Sequence, residues 1–364
     1  MKSLSEFEPI FVVGLMSGTS CDGVDAALTK TDGESINECL HAITLPYHRT
    51  LREKLVNVAQ HDVPLAEVLE IERQLSMVHV EACEVLFQSD ALQHIRPQIV
   101  GFHGHTIRHD PSRRLTWQLG DANMLAEKMG CPVVSDFRRR DIAAGGEGAP
   151  LAPLYHRKLL RGEDKPTAAL NIGGVANITW LGEADAILAG DTGPGCGLMD
   201  AFIFEHTGKP YDTGGALAKS GVVSESMLER WMSDEFFQRP LPKSADRFQF
   251  RTEGIEELSI ADGAATLTAF TVATVDRAIE LLPQPPKTMF ISGGGAHNQH
   301  LYLSISERLR DRWNCEVNHA KSVDSLEAEC FAWLAVRRLR GLPTSLPETT
   351  GCDRPVCGGV LTHG

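Results

Sequence analysis

Positive charge is scarce in this sequence: 35 Lys and Arg stand against 48 Asp and Glu, a formal net charge of −13. A nucleic-acid surface needs clustered cations to neutralise phosphates, so that class of partner is disfavoured, and a small anionic ligand has to rely on local donors. Long apolar runs are missing too. None approaches the roughly 20 residues needed to cross a bilayer, and residues 1–9 hold no apolar signal core, which predicts a protein that stays in the cytosol with no membrane partner. The nine cysteines, at positions 21, 39, 83, 131, 196, 315, 330, 352 and 357, form an odd, scattered set with no paired framework, so reduced thiols are expected. Two nucleotide fingerprints are also absent: there is no G-x-x-x-x-G-K-[ST], and no G-x-G-x-x-G follows the first strand. A nucleotide site in this chain must belong to another fold.

What is present points to such a site. Three glycine-rich turns each follow a β-like apolar run, at residues 12–25 (VVGLMSGTSCDGVD), 170–178 (LNIGGVANI) and 289–298 (MFISGGGAHN). Turns stripped of side-chain bulk let backbone N–H groups wrap phosphate oxygens, and glycine tolerates the positive φ that such turns use. Between the second and third turns lies Asp191, after the apolar run 187–189, as a carboxylate expected at a strand tip. Together these read as an ATP site with a catalytic base.

At 364 residues, with 42% hydrophobic and 23% charged residues, the chain is globular in composition and too long for one ordinary core. Two lobes are expected, at 1–135 and 136–364. In the first, strands at 10–16, 25–30 and 37–45 precede helices at 49–61 and 65–88, where apolar residues recur near the 3.6 period. A buried strand at 98–102 ends in the loop Gly101-Phe102-His103-Gly104-His105-Thr106, and a helix at 122–129 and a strand at 131–135 close the lobe. Segment 136–153 mixes Arg138, Arg139 and Arg140 with Gly and Pro and shows neither period, as a functional boundary would. Beyond it the opening order of strand, glycine turn, strand and strand repeats at 168–172, 177–181 and 186–189, which suggests two lobes of related topology. Helices follow at 196–206, 261–282, 299–312 and 325–340, with a strand at 287–291. The tail from 341 is expected to have little regular structure.

Several side chains compete for chemical roles. Asp22 could hold Mg²⁺ through water, the usual manner for that ion. Asp-Thr-Gly at 191–193 recurs at 212–214, as in an aspartic protease, but a dyad built from two lobes would separate its halves far more widely. His103, His105 and His109 offer a zinc alternative to a polar substrate loop. A guanidinium among Arg138, Arg139 and Arg140 could grip a carboxylate in bidentate fashion. Most of the final helix is core, which leaves Glu327 near its N-terminus as a site candidate.

Taken together, the motifs closely resemble those of the anhydro-N-acetylmuramic acid kinase family, and in order: Gly14-Leu15-Met16-Ser17-Gly18-Thr19-Ser20 with Asp22-Gly23-Val24-Asp25, the loop 101–109, Asp136-Phe137-Arg138-Arg139-Arg140-Asp141 to Gly148-Ala149-Pro150-Leu151, Asn171-Ile172-Gly173-Gly174, residues 191–200, and Gly293-Gly294-Gly295 with Asn298. The resemblance implies an α/β fold of two ribonuclease-H-like lobes, of the actin and hexokinase type, closing on ATP and Mg²⁺. It implies that ATP phosphorylates O6 of 1,6-anhydro-N-acetylmuramic acid while water, activated by Asp191, opens the anhydro bridge at C1, in cell-wall recycling. A homodimer is also implied.

On this reading Gly18, Thr19, Ser20, Cys21, Asp22, Gly23, Val24 and Asp25 form the ATP turn, with Asp22 toward the metal. Gly173, Gly174, Asn177, Gly293, Gly294, Gly295 and Asn298 serve the nucleotide. His103, His105, Thr106, Arg138, Gly193 and Glu327 serve the amino sugar, Arg138 being the candidate for its lactyl carboxylate. The chain departs from the family pattern at Cys196, where Asn is usual, at Ala245-Asp246-Arg247, where Thr-Gly-Arg-Glu is usual, and before Glu327, where Ile-Pro-Pro is missing.

Overall fold

A computed structural model describes residues 7–18, 21–35, 37–89, 92, 94–246, 249–321, 323 and 325–364. Three strands open the chain, β1 (Ile10–Ser17), β2 (Gly23–Thr31) and β3 (Asn37–Pro46), followed by helices α1 (Arg49–Gln60) and α2 (Leu65–Leu86). Next come β4 (Ile99–Asp110), β5 (Leu115–Leu119), α3 (Ala122–Met129), β6 (Val133–Ser135), α4 (Arg139–Ala143) and α5 (Pro153–Leu159). The order then restarts with β7 (Thr167–Ile172), β8 (Val175–Leu181), β9 (Ile187–Pro194), α6 (Gly197–Thr207), α7 (Ala216–Ser220), α8 (Glu225–Met232) and α9 (Ile260–Glu280). It continues with β10 (Thr288–Ser292), α10 (Gln299–Trp313) and β11 (Glu316–His319), and the chain finishes with α11 (Leu326–Arg340), α12 (Pro347–Thr350) and β12 (Val360–Thr362).

Two compact units result: residues 1–158 with 325–347 and 351–364, and residues 159–324 with 348–350. The first holds a sheet in the order β12-β6-β4-β1-β2-β3, with β5 added to β4; the second holds β11-β10-β7-β8-β9. In each, the first three strands form an antiparallel meander and the fourth runs parallel beside the first. A further strand runs parallel beside the fourth, as β6 on β4 and β11 on β10. Both sheets therefore have the ribonuclease-H-like order, and the repeat anticipated from the strand pattern is a repeat of topology.

The composition of the strands explains their places. β1 and β7, central in their sheets, are buried from end to end or nearly so, whereas the edge strand β3 alternates partly buried and exposed residues. Helix α11 packs on β1, β2 and β4 of the first unit. A Cβ on Gly14 would collide with the Ala328 carbonyl, and one on Gly101 with the Phe331 carbonyl. Glycine at those positions, facing Ala328, Ala332 and Ala335, lets the helix backbone lie directly on the sheet.

Two expectations need correction. The lobe boundary does not fall at 135/136, because α11 and β12 bring the end of the chain back onto the first sheet, and segment 136–158 belongs with them. The strand expected to stop at Phe102 continues to Asp110, with β5 as an antiparallel partner. Gly101 and Gly104 suggested a loop, but Gly104, at φ 76°, is accommodated next to a break in the β1–β4 register. The tail from 341 has little regular structure, as expected, holding only the four-residue α12 and the three-residue β12, which pairs with β6.

Candidate active site

In the first unit, the turn between β1 and β2 is closed by the Cys21 N–H, which donates to the Gly18 carbonyl at 3.1 Å. Thr19 and Ser20, both expected in the phosphate turn, lie outside the described residues. Asp22 is exposed on the turn, while Cys21 is buried with φ 54°. Val24 and Asp25 are not turn residues: both are in β2, where Val24 joins the apolar core and the Asp25 carboxylate accepts from Thr44 Oγ1 at 2.6 Å. Gly23 also starts β2, and a Cβ there would strike the Leu45 carbonyl.

A buried hydrogen-bond chain supports this turn. Tyr47 Oη donates to Ser17 Oγ at 2.6 Å, Ser17 Oγ lies 2.8 Å from His105 Nδ1, and His105 Nε2 lies 3.6 Å from Cys21 Sγ. The Tyr47 N–H also donates to the Asp22 carbonyl at 3.0 Å. Tyr47 therefore holds both ends of the turn, a role that no motif in the sequence signals. Burial drives the Tyr47 hydroxyl well above its usual range, so it remains a donor. His105, expected to touch the sugar, has its two ring nitrogens directed at turn residues.

His103 is fixed differently. Its Nδ1 lies 2.9 Å from the Gly104 carbonyl and its Nε2 accepts from Arg138 Nε at 3.0 Å, so the proton resides on Nδ1. Burial, then the neighbouring Arg138 charge, holds this imidazole well below its usual range, and the same causes bring His109 down to about 3. Both rings are neutral at physiological pH and cannot supply positive charge to an acid. Arg138 also donates from Nη1 to the Gly148 carbonyl at 2.9 Å, which ties β4 to the glycine loop after α4. Asp141, fully buried, organises that loop: its Oδ2 accepts from the Gly148 N–H at 2.8 Å and its Oδ1 from the Ser345 hydroxyl. Thr106 Oγ1 accepts from Gln118 Nε2 at 3.2 Å, and Glu327 sits half-buried in the first turn of α11. The zinc alternative is not supported, since the three histidines have different partners and no group of three or more His, Cys, Asp or Glu is placed to hold a metal among the described residues.

In the second unit, Asp191 lies within β9 and not at a strand tip, opposite Asn177 of β8. The extra length of β9 comes from residues 190–194. Asp191 is 6% exposed, its N–H donates to the Lys243 carbonyl at 2.8 Å, and its Oδ2 accepts from the Ala245 N–H at 2.8 Å. The departure at Ala245 leaves this contact intact, because the donor is main chain. Gly193 has a packing reason of its own: a Cβ there would come within 2.8 Å of Thr274 on α9.

The Gly173–Gly174 turn receives the amides of the following loop, from Gly195 and Gly197 to the Gly174 carbonyl and from Cys196 to the Gly173 carbonyl at 2.8–3.2 Å. At the end of β10, Gly293 (φ 82°) leaves no room for a Cβ beside Asn171 and Ile172, whereas Gly294 faces open space. Asn298 has a structural task beside the expected one, since its Oδ1 caps α10 by accepting from the Leu301 N–H at 3.1 Å. Asp212 resolves the protease alternative: its two carboxylate oxygens accept from the Leu217 and Ala218 amides, so it is committed to the first turn of α7.

Comparison with known proteins agrees with this arrangement of motifs. The family model described as anhydro-N-acetylmuramic acid kinase matches residues 10–364. Proteins of that description from Acidiphilium cryptum (strain JF-5) and Gluconobacter oxydans (strain 621H) are 49% and 46% identical, over 96% of this chain and 98% and 99% of their own lengths. Among solved structures, the chain is similar to the activator of the 2-hydroxyisocaproyl-CoA dehydratase from Clostridium difficile with bound ADPNP, at 12% identity and a TM-score of 0.43, over 91% of this chain and 97% of that one. With a family match that covers both ribonuclease-H-like units and every motif described above, the chain belongs to the anhydro-N-acetylmuramic acid kinase family.

Proposed function

We propose that this protein is an ATP-dependent kinase that converts 1,6-anhydro-N-acetylmuramic acid and water to N-acetylmuramic acid 6-phosphate and ADP, in cell-wall recycling. The observation that carries this reading is the family match over residues 10–364. The setting of Asp191 supports it, because a buried carboxylate held by a main-chain donor is a fixed, poorly solvated base.

The acceptor oxygen of this substrate dictates the chemistry. O6 is an ether oxygen and has no proton to lose, so a base must act on water instead. The water oxygen bonds C1 and its proton passes to Asp191. The C1–O6 bond breaks with its electron pair going to O6, which bonds the γ-phosphorus as the bond to ADP breaks. Positioning and local positive charge supply most of the rate in such a transfer.

The ATP turn is read as Gly18 to Gly23, with Gly173, Gly174, Asn177, Gly293, Gly294, Gly295 and Asn298 on the nucleotide. His103, Thr106, Arg138, Gly193 and Glu327 are read on the sugar, and His105 as a support of the turn. Mg²⁺ is held by one or two carboxylates beside substrate phosphates, so the exposed Asp22 fits it, and the ion would neutralise phosphate charge there. A homodimer and a cytoplasmic location belong to the same reading and rest on the family resemblance. Among the described residues, no helix is long and apolar enough to cross a membrane.

ADP release with Mg-ATP tests this reading, comparing 1,6-anhydro-N-acetylmuramic acid with N-acetylglucosamine and N-acetylmuramic acid. Turnover is expected on the anhydro sugar alone, falling by about 10²- to 10⁴-fold in Asp191→Asn. Turnover only on sugars with a free O6 hydroxyl overturns the substrate, and ATP hydrolysis indifferent to sugar overturns the kinase.

A further inference from the structure

Lys243 is 1% exposed, and an ammonium so placed costs several kcal/mol unless something compensates it. Its Nζ donates to the Phe236 carbonyl at 2.7 Å and lies 4.5 Å from the centre of the Phe236 ring. Phe236, Phe237, Phe250 and Phe270 pack against one another around this position. In a setting so rich in aromatic carbon, a Met or Leu would pack at least as well, so packing alone does not account for a lysine.

The main chain of the same residue shows what the side chain anchors. The Lys243 carbonyl accepts the Asp191 N–H, and two residues later the Ala245 N–H donates to Asp191 Oδ2. Gly190 lets this peptide lie directly on β9, since a Cβ there would come within 2.9 Å of both Lys243 N and Lys243 O. Arg277 of α9 fastens the preceding stretch, through Nε to the Phe237 carbonyl at 3.2 Å and Nη2 to Gln238 Oε1 at 2.5 Å. The charged groups that act on Lys243 are Arg239, Arg277 and Asp191, and Arg277 is itself paired with Glu280.

We propose that Lys243 is a positioning residue for Asp191, anchoring the peptide that hydrogen-bonds this carboxylate and keeping a buried positive charge in its vicinity. The proposal rests on the reading of Asp191 as the base. A base must hold its negative charge at the working pH, and in a poorly solvated site it does so only with donors and cations nearby. Burial, with Arg239 and Arg277, brings the Lys243 ammonium down to about 8, while Asp191 acts in the opposite direction.

Two measurements test this. In the pH profile of kcat/KM for the anhydro sugar, Lys243→Met is expected to move the acidic limb up by about one pH unit, which lowers the rate about tenfold below that limb. KM for ATP is expected to stay within about twofold, and Lys243→Arg to return the limb toward its original position. An unmoved limb in a folded, active Lys243→Met overturns the proposal, because a purely structural lysine would lower the rate without shifting the profile.

The second measurement follows the proton affinity of Lys243 by NMR of ¹⁵N-lysine-labelled protein, in wild type and in Asp191→Asn. Loss of the carboxylate charge is expected to lower it by about one unit. Equal titration in the two proteins overturns the coupling, whether or not the anhydro sugar is the substrate. Absent turnover of that sugar by the wild type would instead count against the functional reading.

Discussion

At the residue scale, the groups that hold the site outnumber those that sequence motifs reveal. Tyr47 and Lys243 lie outside any glycine turn, and each became visible only through its partners in space, as did the structural task of Asp141. The turn positions of Gly18, Asp22 and Gly293 were legible beforehand, because turn chemistry is a local signal. The unusual Cys196 does not disturb its turn, where the bonds are made by the amides of Gly195, Cys196 and Gly197. Tyr47 gives a test. Tyr47→Phe keeps the ring but removes the donor to Ser17, and is expected to cost about 1 kcal/mol of stability. Since the same hydroxyl steadies the turn proposed to hold ATP, KM for ATP should rise severalfold while KM for the sugar changes little. A variant with unchanged KM for ATP would show that the chain from Tyr47 to Cys21 does not govern the turn.

At the element scale, most helices and central strands were legible because their periodicity extends over many residues. Helix α3 runs from Ala122 to Met129, as read from the sequence, and α10 and α11 differ from their expected bounds by one residue. The far ends of β4 and β9 were missed, since Gly, Pro and His there favour loops until a partner strand supplies hydrogen bonds, while β5 and β12 are too short to show a period of their own. Close approach of α11 to the first sheet rests on Gly14 and Gly101. Gly101→Val would drive a side chain into the Phe331 carbonyl and the Ala335 Cβ, and is expected to cost about 3 kcal/mol or more. Calorimetry should show the melting of the first unit falling by roughly 6–12 °C. Gly162→Ala is the control, because a Cβ there meets nothing within 4 Å; equal melting of the two variants would refute the packing argument.

For the molecule as a whole, buried histidines set a direction of pH dependence. Burial brings both His79 and His156, in the first unit, from the ordinary 6.5 down to about 4. Above 6.5 both are neutral whether folded or unfolded, and the stability associated with their neutral burial is fully present. As pH falls from 6.5 toward 4, the unfolded chain takes up protons that the folded chain refuses, so stability declines, by up to about 3 kcal/mol for each. Urea unfolding at pH 7 and pH 5 checks this. His79→Leu is expected to reduce the loss over that interval by about 2 kcal/mol, and an identical loss would refute the assignment.

The sequence by itself determined the family, the repeated order of strand, glycine turn, strand and strand, and the identity of Asp191 as the candidate base. These are signals carried by neighbouring residues: backbone torsion preferences, apolar periodicity and charge at a fixed spacing. The tertiary structure alone decided that α11 and β12 return to the first unit, that β4 continues through its histidines, and that the peptide 52 to 54 positions beyond Asp191 meets it, the Lys243 carbonyl accepting its main-chain N–H and the Ala245 amide donating to its carboxylate. Such features depend on hydrogen bonds and contacts between residues distant in the chain, and a backbone donor such as the Ala245 amide leaves no mark on residue identity.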